Sequence, residues 1–173
     1  MKELLDLVLC EFFKFKRRSI FVLATLAALV FPTVMTALYW NIPMQVSYDN
    51  LFSGIVDYGD FLLLLPILTV IATSLFFTEQ DNDTLKNLVT IPVKKSKIVI
   101  AKIGVMAIIS VTYTLVGFFA STICSALLGI PMDHMIQKFV LSFMLGLMLL
   151  AAALPCVALV VSVSYTHLRA HET

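Results

Sequence analysis

Charged side chains are scarce in this chain. Only 13% of its 173 residues are Asp, Glu, Lys or Arg, whereas soluble domains carry about 25%. The scarcity is uneven, because four long apolar runs hold none of these residue types, at residues 20–40, 61–77, 105–130 and 139–163. This pattern excludes an ordinary soluble domain, and no loop between the runs is long enough to form a separate domain of typical size.

Cysteine and catalytic motifs are also lacking. Cys10, Cys124 and Cys156 show no CxxC spacing, so the sequence predicts small packing residues rather than a disulfide or metal framework. There is no GxxxxGK[ST] phosphate loop, no HExxH and no GxSxG. The chain is therefore not expected to be an enzyme, to bind a cofactor or to bind nucleic acid, and any ATPase must be a separate chain.

The four apolar runs have the length of membrane spans. About 20 apolar residues in a helix cross the hydrocarbon core at about 1.5 Å rise per residue. The runs are continuous rather than alternating, which favours helices over strands. The predicted fold is an all-α membrane protein with four transmembrane helices. Because these runs contain no ionisable side chain, the sequence counts against a secondary transporter.

The distribution of basic residues predicts the orientation. Two clusters flank the first and third runs: Lys2, Lys14, Lys16, Arg17, Arg18, Lys86, Lys94, Lys95, Lys97 and Lys102. The loop at 41–60 has only the acids Asp49, Asp57 and Asp60. By the positive-inside rule the N-terminus is cytoplasmic, the 41–60 loop is outside and the 78–97 loop is inside. With Arg169, 11 of the 12 bases fall on the inner side.

The first 18 residues have the pattern of an amphipathic helix. Leu4, Val8, Phe12 and Phe15 recur at i, i+4, i+8 and i+11. The sequence predicts a helix that lies flat in the inner membrane interface. The alternative is a charged lead-in that only sets the topology.

The inner loop between the second and third runs is the most informative polar stretch. Asn82 or Asp83 can cap a short helix that Pro92 ends. Leu85, Leu88 and Val89 form one apolar face at i, i+3 and i+4. Such a helix can enter a groove on a partner protein. The alternative is a connector that rests on the membrane surface.

This loop resembles a known family. Glu79, the stretch 83–88 (DTLKNL), 91–93 (IPV), Lys97 and Lys102 are similar to the ABC transporter type-2 permeases. The bacitracin-type and lantibiotic-immunity permeases of Gram-positive bacteria are the nearest group. The resemblance implies that the loop is the coupling helix that docks on a separate ABC ATPase subunit. The implied docking residues are Glu79, Asp83, Thr84, Leu85, Lys86, Leu88 and Val89.

The resemblance also implies partners, location and cargo. Two permease chains, identical or different, would pair in the bacterial cytoplasmic membrane, and the cargo would be a peptide antibiotic.

The family usually has six spans, whereas four are counted here. Residues 164–173 resemble a translated adapter-like tail. The expected organisation is therefore a permease domain at 1–163, as a fragment, followed by a non-native tail at 164–173.

The expected function is the membrane-spanning permease subunit of an ATP-driven exporter. One alternative is a membrane scaffold or sensor that recruits a cytoplasmic partner, and a second is a secondary transporter. A neighbouring ATPase gene would favour the exporter. Transport driven by a proton gradient without ATP would favour the secondary transporter.

Overall fold

The described part of the chain is almost entirely helical. The computed structural model describes residues 2–16, 19–40, 47–81 and 95–171. Its α-helices are α1 (Lys2–Lys16), α2 (Ser19–Trp40), α3 (Tyr48–Ile55), α4 (Leu65–Asp81), α5 (Lys95–Leu128) and α6 (Met135–His171). A π-helical segment, Val56–Leu64, joins α3 directly to α4. No strand occurs in these ranges, which confirms the predicted all-α class.

Within the described residues, four helical stretches are long and apolar enough to cross a membrane. They are Ser19–Trp40, Tyr48–Phe76, Ser96–Leu128 and Met135–Leu159. The predicted number of spans is confirmed. Helix α5, with 34 residues, is longer than one crossing of the hydrocarbon core requires. The expected division into a permease domain at 1–163 and a non-native tail at 164–173 stays a prediction.

The second span begins earlier than the sequence predicted. The prediction placed residues 41–60 in an outer loop, but the chain is helical from Tyr48 onward. The Oγ of Ser47 accepts a hydrogen bond from the Asn50 N–H at 3.3 Å and caps the new N-terminus. Leu51, Phe52, Ile55 and Val56 form a buried apolar face upstream of Asp57 and Asp60. Because this face packs against the bundle, the helix continues past both acids.

This correction overturns a second prediction. Asp49, Asp57 and Asp60 now belong to a candidate span, and Asp60 is only 3% exposed. The statement that the span interiors lack ionisable groups was therefore wrong. The argument that it supplied against a secondary transporter no longer holds.

Helix α5 forms the centre of the bundle. It packs against α1, α2 and α6, and α6 also packs against α4. The buried core between these helices includes Leu68 and Ile71 of α4, Met106 of α5 and Leu149 of α6. Since lipid is as apolar as these side chains, close packing rather than water exclusion holds spans together.

Helices α5 and α6 approach each other closely at Gly146. A Cβ placed on Gly146 would lie 2.9 Å from the Cα of Val111 and 2.8 Å from the Oγ1 of Thr114. At this crossing the Ser110 hydroxyl donates to the Gly146 carbonyl at 2.7 Å. Only a residue without a side chain leaves room for this backbone approach.

A polar cluster joins α3 to α6 at the end of the bundle away from α1. The ammonium of Lys138 pairs with the Asp49 carboxylate and donates to the Asp133 carbonyl at 3.1 Å. The same ammonium lies 4.6 Å from the centroid of the Tyr48 ring. The Tyr48 hydroxyl is 3.1 Å from the Thr122 hydroxyl of α5. This cluster holds the start of the second span against α5 and α6.

Candidate functional site

The candidate site is the end of the bundle where α1, the C-terminus of α4 and the N-terminus of α5 meet. The predicted cytoplasmic loop connects α4 to α5 at this end. We call this region the α1 end. The loop is connected to the bundle through α4 and α5.

The predicted apolar stripe of α1 faces the bundle. Phe15 is 1% exposed, and its ring lies edge-on to the Phe21 ring of α2 with centroids 6.3 Å apart. Phe12 meets the same ring at 6.1 Å. Val8 packs over Gly104 of α5, where an added Cβ would lie 3.2 Å from the valine Cγ2. Helix α1 is therefore seated on α2 and α5.

A second apolar stripe on α1 is exposed. Leu5, Leu9 and Phe13 recur at i, i+4 and i+8 and are 61%, 51% and 59% exposed. The amphipathic pattern predicted from the sequence contains only the first stripe. The side chain of Leu4, a member of that first stripe, lies outside the described residues. With one face on the bundle and a second apolar face uncovered, α1 has the form that an interfacial helix requires.

Lys102 links the two helices that carry the loop. It is 2% exposed, and its ammonium donates to the Leu75 carbonyl of α4 at 2.6 Å. The ammonium also lies 4.9 Å from the centroid of the Phe76 ring. A carbonyl and an aromatic face therefore contact its charge inside the bundle.

The predicted docking residues lie almost entirely outside the described residues. Six of them belong to the connection at 82–94, which is not described: Asp83, Thr84, Leu85, Lys86, Leu88 and Val89. Glu79 lies in the last turns of α4, and its side chain is not described. The docking role of all seven therefore stays a prediction, while the supports on either side of the loop are known.

The described residues show no metal-binding group. Across these ranges no three His, Cys, Asp or Glu side chains come together in a way that could hold a metal ion. The three cysteines are free, with Cys124 buried and Cys10 and Cys156 exposed. The buried ionisable side chains of the described bundle include Asp60, Lys102 and Lys138.

The family comparison now decides the identity of the bundle. A family model described as ABC-2 family transporter protein matches residues 7–168. The chain belongs to the ABC-2 transporter family. No curated protein and no solved structure matches it. The match covers the packed bundle and the loop at 82–94, and it confirms the resemblance seen in the sequence.

Membership of the ABC-2 family establishes the general role. This chain is an integral membrane protein and the permease component of an ABC transporter. Such a component is not itself catalytic. It associates with an ATP-binding subunit, and the membrane components pair. The ABC-2 permease therefore needs a route from a partner at its surface into its spans.

Sequence reasoning missed three residues that organise this permease. Asp60 was assigned to a loop, Gly146 was not singled out, and Lys138 was treated only as a charge. For Asp60 a usable signal existed, because the apolar residues at 51, 52, 55 and 56 already have helical spacing before it. Gly146 and Lys138 depend on contacts between distant helices, which no local pattern encodes.

We expect Lys102→Met to weaken coupling more than folding. Methionine keeps the packing of the lysine stem and removes its ammonium group. It also removes the hydrogen bond from α5 to the Leu75 carbonyl. ATPase stimulation by the permease should fall several-fold while the melting temperature changes little.

Lys102→Arg is the matched control, because it keeps a cationic donor at the same position. Stimulation should be largely retained in this variant. If Lys102→Met stimulated the ATPase as the wild type does, the link between α4 and α5 would have no role in coupling.

Proposed function

We propose that this ABC-2 permease is the membrane subunit of an exporter whose ATPase docks on residues 82–90. The observation that carries the proposal is the joining of α4 to α5 by Lys102 beside this loop. A push on the loop would reach both helices together. Helix α5 packs against α1, α2, α6 and the helices of the second span. Its displacement would therefore change the packing of every other span.

The apolar face of Leu85, Leu88 and Val89 would supply the contact with the ATPase. Glu79, Asp83, Thr84 and Lys86 would orient it as polar neighbours. ATP-driven closure of two ATPase subunits would move the loops of two paired permeases. The spans would then re-pack and move the cargo outward.

Helix α1 would set the level of the bundle in the inner leaflet. Its buried face, with Val8, Phe12 and Phe15, is fastened to α2 and α5. Its exposed face, with Leu5 and Phe13, would enter the acyl boundary. A helix held on both sides would resist vertical movement while the ATPases push, so the applied work would rearrange the spans.

The proposed cargo is a peptide antibiotic, and the proposed location is the bacterial cytoplasmic membrane. This part of the proposal rests on the similarity of the inner loop to the lantibiotic-immunity permeases. No described side chain reads out a particular peptide. The scaffold alternative would keep the loop as a docking element and would lack cargo movement.

Transport in vesicles tests the proposal. The permease and its ATPase subunit would be co-expressed, and inverted membrane vesicles would be given a labelled lantibiotic. We expect accumulation that requires ATP, because the cytoplasmic side of such vesicles faces the medium. A proton gradient without ATP should not replace it.

Two results would contradict the exporter. Accumulation driven by the proton gradient alone would favour a secondary transporter. Binding of the ATPase with no movement of any tested peptide would favour the scaffold. Vesicles with the ATPase but without the permease provide the background.

A further inference from the structure

Asp60 lies near the middle of the bundle. It belongs to the π-helical segment Val56–Leu64 and is 3% exposed. Its neighbour Gly59 packs on Phe31, with an added Cβ 3.3 Å from the phenylalanine Cβ. Its Oδ1 lies 3.7 Å from the position of an added Cβ on Gly117. Phe31 is central in α2 and Gly117 is well inside α5, so the carboxylate is far from both ends of the spans.

No basic side chain balances this carboxylate. In the ranges that the structure describes, Asp60 has neither an ion pair nor a hydrogen bond. Helix α2 carries no Asp, Glu, Lys, Arg or His. Lys138 is paired with Asp49, and Asp57 is exposed. A lone carboxylate inside a membrane bundle is costly unless a positive charge neutralises it.

Tyr113 fastens α5 to the residue that precedes Asp60. The hydroxyl of Tyr113, on α5, donates to the carbonyl of Gly59 at 3.3 Å. Tyr113 is also within electrostatic range of the Asp60 carboxylate. Tyr113 is buried, whereas Tyr58, on the same segment as Asp60, is exposed. The local helix is π-helical, a geometry that recurs at functional sites.

We propose that Asp60, with Tyr113 beside it, takes up one monovalent cation in the middle of the membrane, either a proton or an alkali-metal ion. A single positive charge balances the single carboxylate. A divalent ion would leave a net charge in the low dielectric, and the described residues offer no cluster of three acidic, His or Cys side chains to hold one.

This inference goes beyond the exporter function and does not depend on it. A cation at Asp60 would stabilise the contact between the π-helical segment and α5. Because α5 is also the helix joined to the docking loop, occupancy at Asp60 would bias the arrangement that the ATPases drive.

Thermal unfolding of the purified full-length chain in detergent tests the proposal. The melting temperature would be measured in NaCl, in KCl and in N-methyl-D-glucamine chloride at equal ionic strength. Each series would be repeated at a mildly acidic and a mildly alkaline pH. For an ion at about five times its dissociation constant we expect a rise of roughly 2–4 °C in the wild type.

The variants assign the effect to Asp60. Asp60→Asn should lose the dependence, whereas Asp57→Asn, with the same change at the exposed acid of the same segment, should keep it. Tyr113→Phe should raise the half-maximal cation concentration several-fold. If Asp60→Asn does not fold, Asp60→Glu and Tyr113→Phe provide the comparison.

Each outcome decides the proposal. Dependence on Na⁺ or K⁺ that requires Asp60 identifies an alkali-metal ion, and dependence on pH alone that requires Asp60 identifies a proton. The proposal would be wrong if the melting temperature of the wild type depended on neither the cation nor the pH. It would also be wrong if the Asp60→Asn variant kept the wild-type response. No ATPase is present in this experiment, so its result is separate from that of the exporter test.

Discussion

Leu85→Asp should abolish binding of the ABC-2 permease to its ATPase subunit and leave the chain in the membrane. Leu85 is the first residue of the predicted apolar face, with Leu88 and Val89 completing it. A carboxylate there would enter an apolar groove without a partner. Loss of a central contact of this kind costs about 2–4 kcal/mol, or roughly 30-fold to 1,000-fold in affinity.

Co-purification measures this effect. The permease and the ATPase would be extracted together in detergent, and the ATPase recovered with a tagged permease would be quantified. Insertion should be unchanged, because the substitution lies between spans and adds no charge to an apolar run. The amount of permease in the membrane fraction reports insertion separately from binding.

Asn87→Asp is the matched control for Leu85→Asp. It adds the same charge two residues away, on the opposite side of the predicted helix. ATPase recovery should stay close to that of the wild type. If Leu85→Asp still retained the ATPase, the assigned docking face would be wrong, while the family assignment would stand.

Gly146→Leu should prevent α5 and α6 from packing. A Cβ at this position would lie 2.9 Å from the Cα of Val111, which is a backbone atom and cannot rotate away. The helices would have to separate, and the hydrogen bond from Ser110 to the Gly146 carbonyl would be lost. Overpacking alone costs about 1–3 kcal/mol, and here the lost hydrogen bond adds to it.

The melting temperature and the yield of monodisperse protein measure this loss. Gly146→Ala should lower the melting temperature by several degrees, and Gly146→Leu should lower it further or leave no folded protein. Gly117→Ala is the matched control on α5. Its Cβ would lie at an ordinary contact distance of 3.7 Å from Asp60. Wild-type stability in Gly146→Leu would show that the helices do not approach at this glycine.

The sequence predicted the spans because lipid imposes a simple rule. Every backbone group in the hydrocarbon must be paired within its own helix, so uninterrupted apolar length is sufficient evidence. The second span shows where the rule misleads. Asp57 and Asp60 lower the local hydropathy and suggest a loop, yet the apolar face of 51–56 continues the helix upstream.

The amino-acid sequence alone was enough to predict an all-α membrane protein with four spans that resembles the ABC-2 permeases. These predictions depend on composition and on sequence patterns along the chain. The burial of Asp60, the hydrogen bond from Lys102 to the Leu75 carbonyl and the close contact of Gly146 with the backbone of α5 are visible only in the folded bundle. Each of these joins residues from different helices, and the distances between helices are set by packing rather than by any local sequence pattern.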